Sequence, residues 1–166
     1  LEQAKVVSDA CEACGVPYRF ELYSEVAPAP TTVRHFPGTG KALEQGSFTF
    51  TPELNALSDF DALSPRLTKH LNEPLLTTFD RMLACDVLVT SRSSLSACAA
   101  YLKPGPADAS GGGLVLYHPF WHSMLPPEDG HVACDDPKRD ERVKAFVEGF
   151  GKRGQKETPG AAVAID

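Results

Sequence analysis

Residues 86–102, DVLVTSRSSLSACAAYL, join three kinds of sequence without a break: a β-branched apolar run, a hydroxyl-rich turn and an apolar-periodic stretch. A near-continuous apolar run bounded by polar residues suits a strand covered on both faces, which is the situation of a parallel sheet flanked by helices. The stretch 86–90 therefore predicts a central strand. Ser91 or Ser93 predicts the N-cap of a helix that stops before Pro104-Gly105. A strand that passes through a tight turn into a helix is half of a βαβ unit, so this segment commits the chain to an α/β fold.

The rest of the chain continues the alternation. In residues 1–14, Ala4, Val7, Ala10, Cys11 and Cys14 fall at helical spacing, and Gly15 with Pro17 stops the pattern. YRFELYS (18–24) alternates like a strand. Pro28, Pro30, Pro37 and Gly38 break every candidate element in 26–57, which predicts a long loop, with a short helix near 58–64. LTKHLN (67–72) predicts an extended piece. Pro74 opens a helix over 74–84, LVLYH (114–118) reads as a buried strand, and 137–149 as a helix. The expected fold is a Rossmann-like α/β parallel sheet with helices on both faces and right-handed crossovers. Residues 1–150 form the expected domain and 151–166 a flexible tail, because Gly, Lys and Pro crowd the stretch after Gly151. The first helix has no strand to cross over from, so a strand ahead of residue 1 is expected and Leu1 reads as a cut.

Composition removes several functional classes. The 166 residues suffice for one core, and a formal charge of -6 offers no basic field for a nucleic-acid polymer or an anionic membrane. No apolar run approaches the roughly 20 residues of a transmembrane helix. Five scattered cysteines are too few for a disulfide scaffold and leave one unpaired.

Ligands of open α/β sheets sit at the carboxyl ends of the strands. Those ends carry Tyr23-Ser24-Glu25, Thr90-Ser91-Arg92-Ser93-Ser94 and His118-Pro119-Phe120-Trp121. The second cluster leads into a helix whose first amides lack intrahelical partners, a terminus that offers donors and partial positive charge to a phosphate. The plainer alternative is that these serines only cap the helix. That explains Ser91 or Ser93 but leaves Ser94 and Ser96 without a purpose.

TTFDRMLACDVLVTSRSSLSACAAYL (77–102), followed by VLYHPFW (115–121), resembles the donor-binding segment of fucosyltransferase-like glycosyltransferases, whose GT-B architecture pairs two Rossmann-type domains. The likeness covers about residues 75–121, and LYSE (22–25), similar to the Ser-Asp strand end upstream in that family, extends it to roughly the first 120. The resemblance implies the C-terminal, donor-binding half of such an enzyme, an incomplete GT-B unit that is inactive without an N-terminal acceptor half. It implies that Ser93, Ser94 and Leu95, with Ser91 beside them, hold the diphosphate of a nucleotide sugar. Ser24 and Glu25 would lie near base or ribose, and His70 and Asn72 would line the same cleft. Arg92 would either neutralise the diphosphate or point to solvent. The implied reaction transfers a hexose or deoxyhexose, with fucose from GDP-fucose among the candidates, to a glycan hydroxyl without metal or other cofactor. For a eukaryotic parent it implies the Golgi lumen. The family's arginine-rich segment has no counterpart here, since Arg19 and Arg34 stand alone, and no general base can be named. The alternative is a non-catalytic Rossmann-like binding or interaction domain.

Three further signals carry little. Cys11 and Cys14 form a lone CxxC at a helix end, which suits packing better than redox chemistry. His118, His122, His131 and Cys134 are spread over a proline-broken stretch, and packing or cleft lining explains them better than a metal. PGTGK (37–41) lacks the first glycine and the hydroxyl of a phosphate loop.

Overall fold

The structure is a computed structural model that describes residues 1–24, 31–33, 48–50, 57–91, 93–105, 112–119, 130–154 and 161–165, with 31–33, 48–50 and 151–154 described as backbone alone. In chain order it contains α1 (Glu2–Cys14), β1 (Tyr18–Ser24), β2 (Thr31–Val33), β3 (Phe48–Phe50), a 3-10 helix (Leu57–Leu63), β4 (Leu67–Leu71), α2 (Leu75–Ala84), β5 (Val87–Val89), α3 (Ser94–Leu102), β6 (Leu114–Tyr117), β7 (His131–Ala133), α4 (Arg139–Gly154) and β8 (Ala161–Ile165). Gly15 closes α1 in the left-handed conformation (φ 64°), donating its N–H back to the last turn, as the Gly-Pro stop predicts.

Six strands form one sheet in the order β4-β1-β8-β5-β6-β7, and every neighbouring pair is parallel. The alternation of side chains sorts the core into two layers. Phe20, Leu22, Val87, Val89, Leu114, Leu116, Val163 and Ile165 face α1 and α4. Tyr23, Leu88, Val115, Tyr117 and Ala164 face α2 and α3. Val87, Leu88 and Val89 are all buried, so β5 is the doubly covered strand that its unbroken apolar run implies.

The expected flexible tail over 151–166 is corrected by this topology: α4 runs on to Gly154, and Ala161–Ile165 is an interior strand of the sheet. β8 pairs with β1 from Tyr18 to Leu22 and with β5 from Val87 to Val89. Asp86 fixes this register from both ends of its own residue. Its N–H donates to the Ala162 carbonyl at 2.9 Å, and its carboxylate Oδ2 accepts the Ala162 N–H at 2.8 Å. AAVAI escapes sequence patterning because alanine is a weak strand former, but a strand laddered on both edges draws its stability from neighbours.

β8 occupies the place beside β1 on the side of β5. Counted from β8, the sheet order becomes 3-2-1-4-5-6, the doubly wound dinucleotide-binding order, with its switch point between β8 and β5. Two smaller differences follow. The expected long loop over 26–57 contains the antiparallel pair β2–β3, Thr31 facing Phe50. β7, three residues long, gives no period to read, yet Val132 is fully buried beside β6.

A buried lysine closes the α2 side of the molecule. Lys103, 5% exposed, reaches across from the end of α3, and its ammonium donates to the carbonyls of Met82, Leu83 and Cys85 where α2 runs out of partners. Gly113 makes room for it: a Cβ there would sit 2.3 Å from Lys103 Cε and 2.7 Å from the Asp86 carbonyl oxygen.

Candidate functional site

Two hollows adjoin along the carboxyl edge of the sheet, and Ser91 and Phe60 line both. The first, about 460 Å³, lies over the ends of β1, β4 and β5, between the first turns of α2 and α3. Its polar lining is Ser24, His70, Glu73, Thr78, Ser91 and Ser93. Leu57 and Phe60 of the 3-10 helix, with Leu22, Leu75 and Leu95, supply apolar walls. The second, about 470 Å³, sits at the β8–β5 switch point against the start of α1, with Glu2, Asp135, His118, Cys134 and Thr90 in its wall.

The serine turn has a definite local geometry. Ser93, extended at φ -102° and ψ 135°, is the N-cap of α3. Its Oγ accepts the N–H groups of Leu95 at 3.1 Å and Ser96 at 3.5 Å. Of the two cap candidates, Ser93 is the one that caps. Ser96 is fully buried and returns its hydroxyl proton to the Ser93 carbonyl at 3.1 Å, so it serves the helix. Capping does not exhaust Ser93: a hydroxyl has two acceptor lone pairs and one proton, and only the lone pairs are used here. The proton remains available to an anion in the hollow that Ser93 lines.

The expected site residues separate on the structure. Ser24, His70, Ser91, Ser93 and Leu95 come together around the first hollow. Ser94, the first residue of α3, is exposed and lines neither hollow. Asn72 is exposed in the left-handed region (φ 54°), where its N–H donates to the Ser24 carbonyl at 3.1 Å, so its backbone ties the β1 and β4 ends together while its side chain lies off both hollows. Glu25 and Arg92 fall outside the described residues, as do PGTGK (37–41), Phe120, Trp121 and His122.

His70 anchors a network that single-residue patterns do not reveal. Its ring stacks on Tyr23 with centroids 4.8 Å apart and planes 13° from parallel. Its Nδ1 lies 2.9 Å from Glu73 Oε1, and Arg81 Nη1 donates to both Glu73 oxygens at 3.0 and 2.8 Å. The hydrogen bond to His70, and then the Arg81 guanidinium, hold the Glu73 carboxyl below the usual carboxylate range. Burial, reinforced by a 2.6 Å hydrogen bond to Glu21, pushes the Tyr23 phenol up. Glu73 and Arg81 meet only because the β4–α2 turn folds one over the other.

Charge argues for different contents in the two hollows. Asp135, with Glu2 already paired to Arg139 at 2.8 Å, makes the second a place for hydroxyl or cationic groups, while the first presents the start of α3. Among the described side chains each of Arg19, Arg66, Arg81, Arg139 and Arg142 is paired with a carboxylate. His131 is buried with Nε2 3.0 Å from the Ala100 carbonyl oxygen, and among the described residues no three metal-ligating side chains gather. Cys11 and Cys14 are unbridged, and burial pushes the Cys11 thiol up to about 11. Among the described residues no helix is long and apolar enough to cross a membrane.

Set against known proteins, the chain matches no family model, no curated protein and no solved structure.

Proposed function

We propose that the chain is the donor-binding half of a GT-B glycosyltransferase, which holds a nucleotide-diphosphate sugar along the carboxyl edge of its sheet. One observation carries this reading: the Ser91–Ser93 turn opens α3 onto a hollow that also holds Ser24 and His70, in a sheet whose order places its switch point next to that turn. The diphosphate lies against the Ser93 hydroxyl and the Ser94 amide at the start of α3, the Leu95 and Ser96 amides being held by the Ser93 cap. The nucleoside extends over the ends of β1 and β4, between Phe60 and Leu75. The sugar extends toward the second hollow, where Glu2 and Asp135 accept from its hydroxyls. The donor is a hexosyl or deoxyhexosyl nucleotide, GDP-fucose among the candidates, and the acceptor is a glycan hydroxyl bound by a partner domain. In this arrangement the helix end and the serine hydroxyls stabilise the departing diphosphate.

Titration with GDP and UDP tests the reading: saturable binding that Ser93→Ala weakens supports it, and no binding of either nucleotide removes it. A specific observation favours a second reading, a non-catalytic Rossmann-like binding domain. Every described arginine is already neutralised by a carboxylate, so none of them is left to balance a leaving diphosphate. Binding of nucleotide without turnover of a nucleotide sugar, once a partner domain is supplied, would select it.

A further inference from the structure

His70 carries a buried ring nitrogen, Nε2, that has no hydrogen-bond partner among the described residues, on a side chain that lines the first hollow. Such an atom calls for a reason, because buried polar atoms are otherwise satisfied. The network occupies the other ring nitrogen. His70 Nδ1 sits 2.9 Å from Glu73 Oε1 and 2.9 Å from Arg81 Nη1, which itself lies 3.0 and 2.8 Å from the two Glu73 oxygens. Nε2 is therefore the nitrogen left for a ligand: it accepts a hydrogen bond when Nδ1 gives its proton to Glu73, and donates one when Nδ1 accepts from Arg81. Stacking on Tyr23 and the Glu73 contact hold the ring in place.

Position then decides the role. His70 ends β4 and the serine turn follows β5, three strand spacings away in the order β4-β1-β8-β5. At roughly 4.8 Å per spacing the two lie about 14 Å apart across the sheet. That is too far for a group acting on the sugar carbon bonded to a diphosphate at Ser93, and it matches the far end of a nucleoside. The hollow's walls include the Phe60 ring with Leu57 and Leu75, apolar surfaces against which a base would pack.

We infer that His70 reads the nucleobase of the bound nucleotide through a hydrogen bond at Nε2. The inference rests on the diphosphate site at Ser93, and its test keeps the two apart by using inorganic pyrophosphate, which has no base, beside GDP and UDP. His70→Phe keeps the stacking ring and removes the ring nitrogens, and His70→Gln puts an amide, able to accept or donate, near the Nε2 position. His70→Asn reaches only the Nδ1 position. Loss of one such hydrogen bond weakens nucleotide binding by about 5–10-fold. The expected result is that GDP or UDP binds 5–10-fold more weakly to the Phe and Asn variants, that Gln restores most of the loss, and that pyrophosphate binds equally to all. Nucleotide affinity unchanged across the variants, with pyrophosphate still bound, overturns the inference and leaves the diphosphate site standing. Failure of all three ligands to bind the parent overturns both. Should His70→Phe not fold, the ¹⁵N resonance of His70 Nε2 in the parent protein decides: it moves with GDP or UDP and stays with pyrophosphate, whereas no movement with either nucleotide overturns the inference.

Discussion

Replacing Ser93 separates the two duties assigned to it. In Ser93→Ala the amides of Leu95 and Ser96 lose the oxygen that accepts them at 3.1 and 3.5 Å. Loss of a serine N-cap costs about 1 kcal/mol, which lowers Tm by about 2–4 °C in a chain of this size. The same change removes the hydroxyl proton offered to a phosphate. A hydrogen bond to a charged group contributes about 1.5–3 kcal/mol, so Kd for GDP or UDP should rise by roughly 10- to 150-fold. Ser93→Asp dissects the result, because aspartate caps as well as serine but sets a carboxylate against the diphosphate. Thermal unfolding and calorimetric titration of the three proteins therefore give a crossed pattern: the alanine variant loses some of both properties, and the aspartate variant keeps parental Tm but binds no nucleotide. Parental affinity in both variants, with Tm lowered only in the alanine variant, would refute the reasoning and leave Ser93 a cap alone.

Lys103→Met removes the ammonium from the carbonyls of Met82, Leu83 and Cys85, of which, among the described residues, Met82 alone keeps a second donor, the Cys85 thiol. Unsatisfied carbonyls outweigh the relief of releasing a buried cation, and the expected loss is about 3 kcal/mol, read as a lower denaturant midpoint. Asp86→Ala removes the 2.8 Å acceptor of the Ala162 N–H and should cost about 2 kcal/mol, with the earliest loss of amide exchange protection in Val163 and Ala164 rather than in α2. For pH, Cys11 is a thiol whose value rises from 9.0 to about 11 in the fold, chiefly through burial. Its neutral form is the one the fold favours, so its contribution is complete below pH 9 and is lost as pH climbs toward 11. Cys11→Ala should flatten the fall in stability across that window, and an unchanged slope would contradict the assignment.

What local chemistry encodes was legible. The Gly15 stop of α1 and the Ser93 cap of α3 are decisions made within a turn of helix, and the unbroken apolar run of β5 announces burial on both faces. What depends on distant partners was not. β8 is alanine-rich and follows a stretch of glycine, lysine and proline, so nothing in its own residues distinguishes it from a tail. Its strand character comes from the ladders on either side and from Asp86, more than seventy residues earlier in the chain. β7 is too short to show a period. The site divides the same way: Ser91, Ser93 and Leu95 follow from one strand-turn-helix junction. The Tyr23–His70–Glu73–Arg81 network instead forms where β1, β4 and α2 converge, and Glu73 carries no sequence signal beyond preceding Pro74. Ser94 shows the limit of motif transfer, since a helix turns each successive side chain by about 100° and points its hydroxyl away from the hollow that Ser93 lines.

The claim on which the account stands is that a nucleotide's diphosphate docks on the first turn of α3. Following the backbone amides of Ser94, Leu95 and Ser96 by ¹H–¹⁵N correlation spectra during a GDP titration reads this at the atoms concerned. The account predicts that these amides shift together and saturate with one Kd, along with Ser91, while amides at the far end of α3, Tyr101 and Leu102, stay in place. Saturable shifts confined to other elements, or no shifts at millimolar nucleotide, would contradict it.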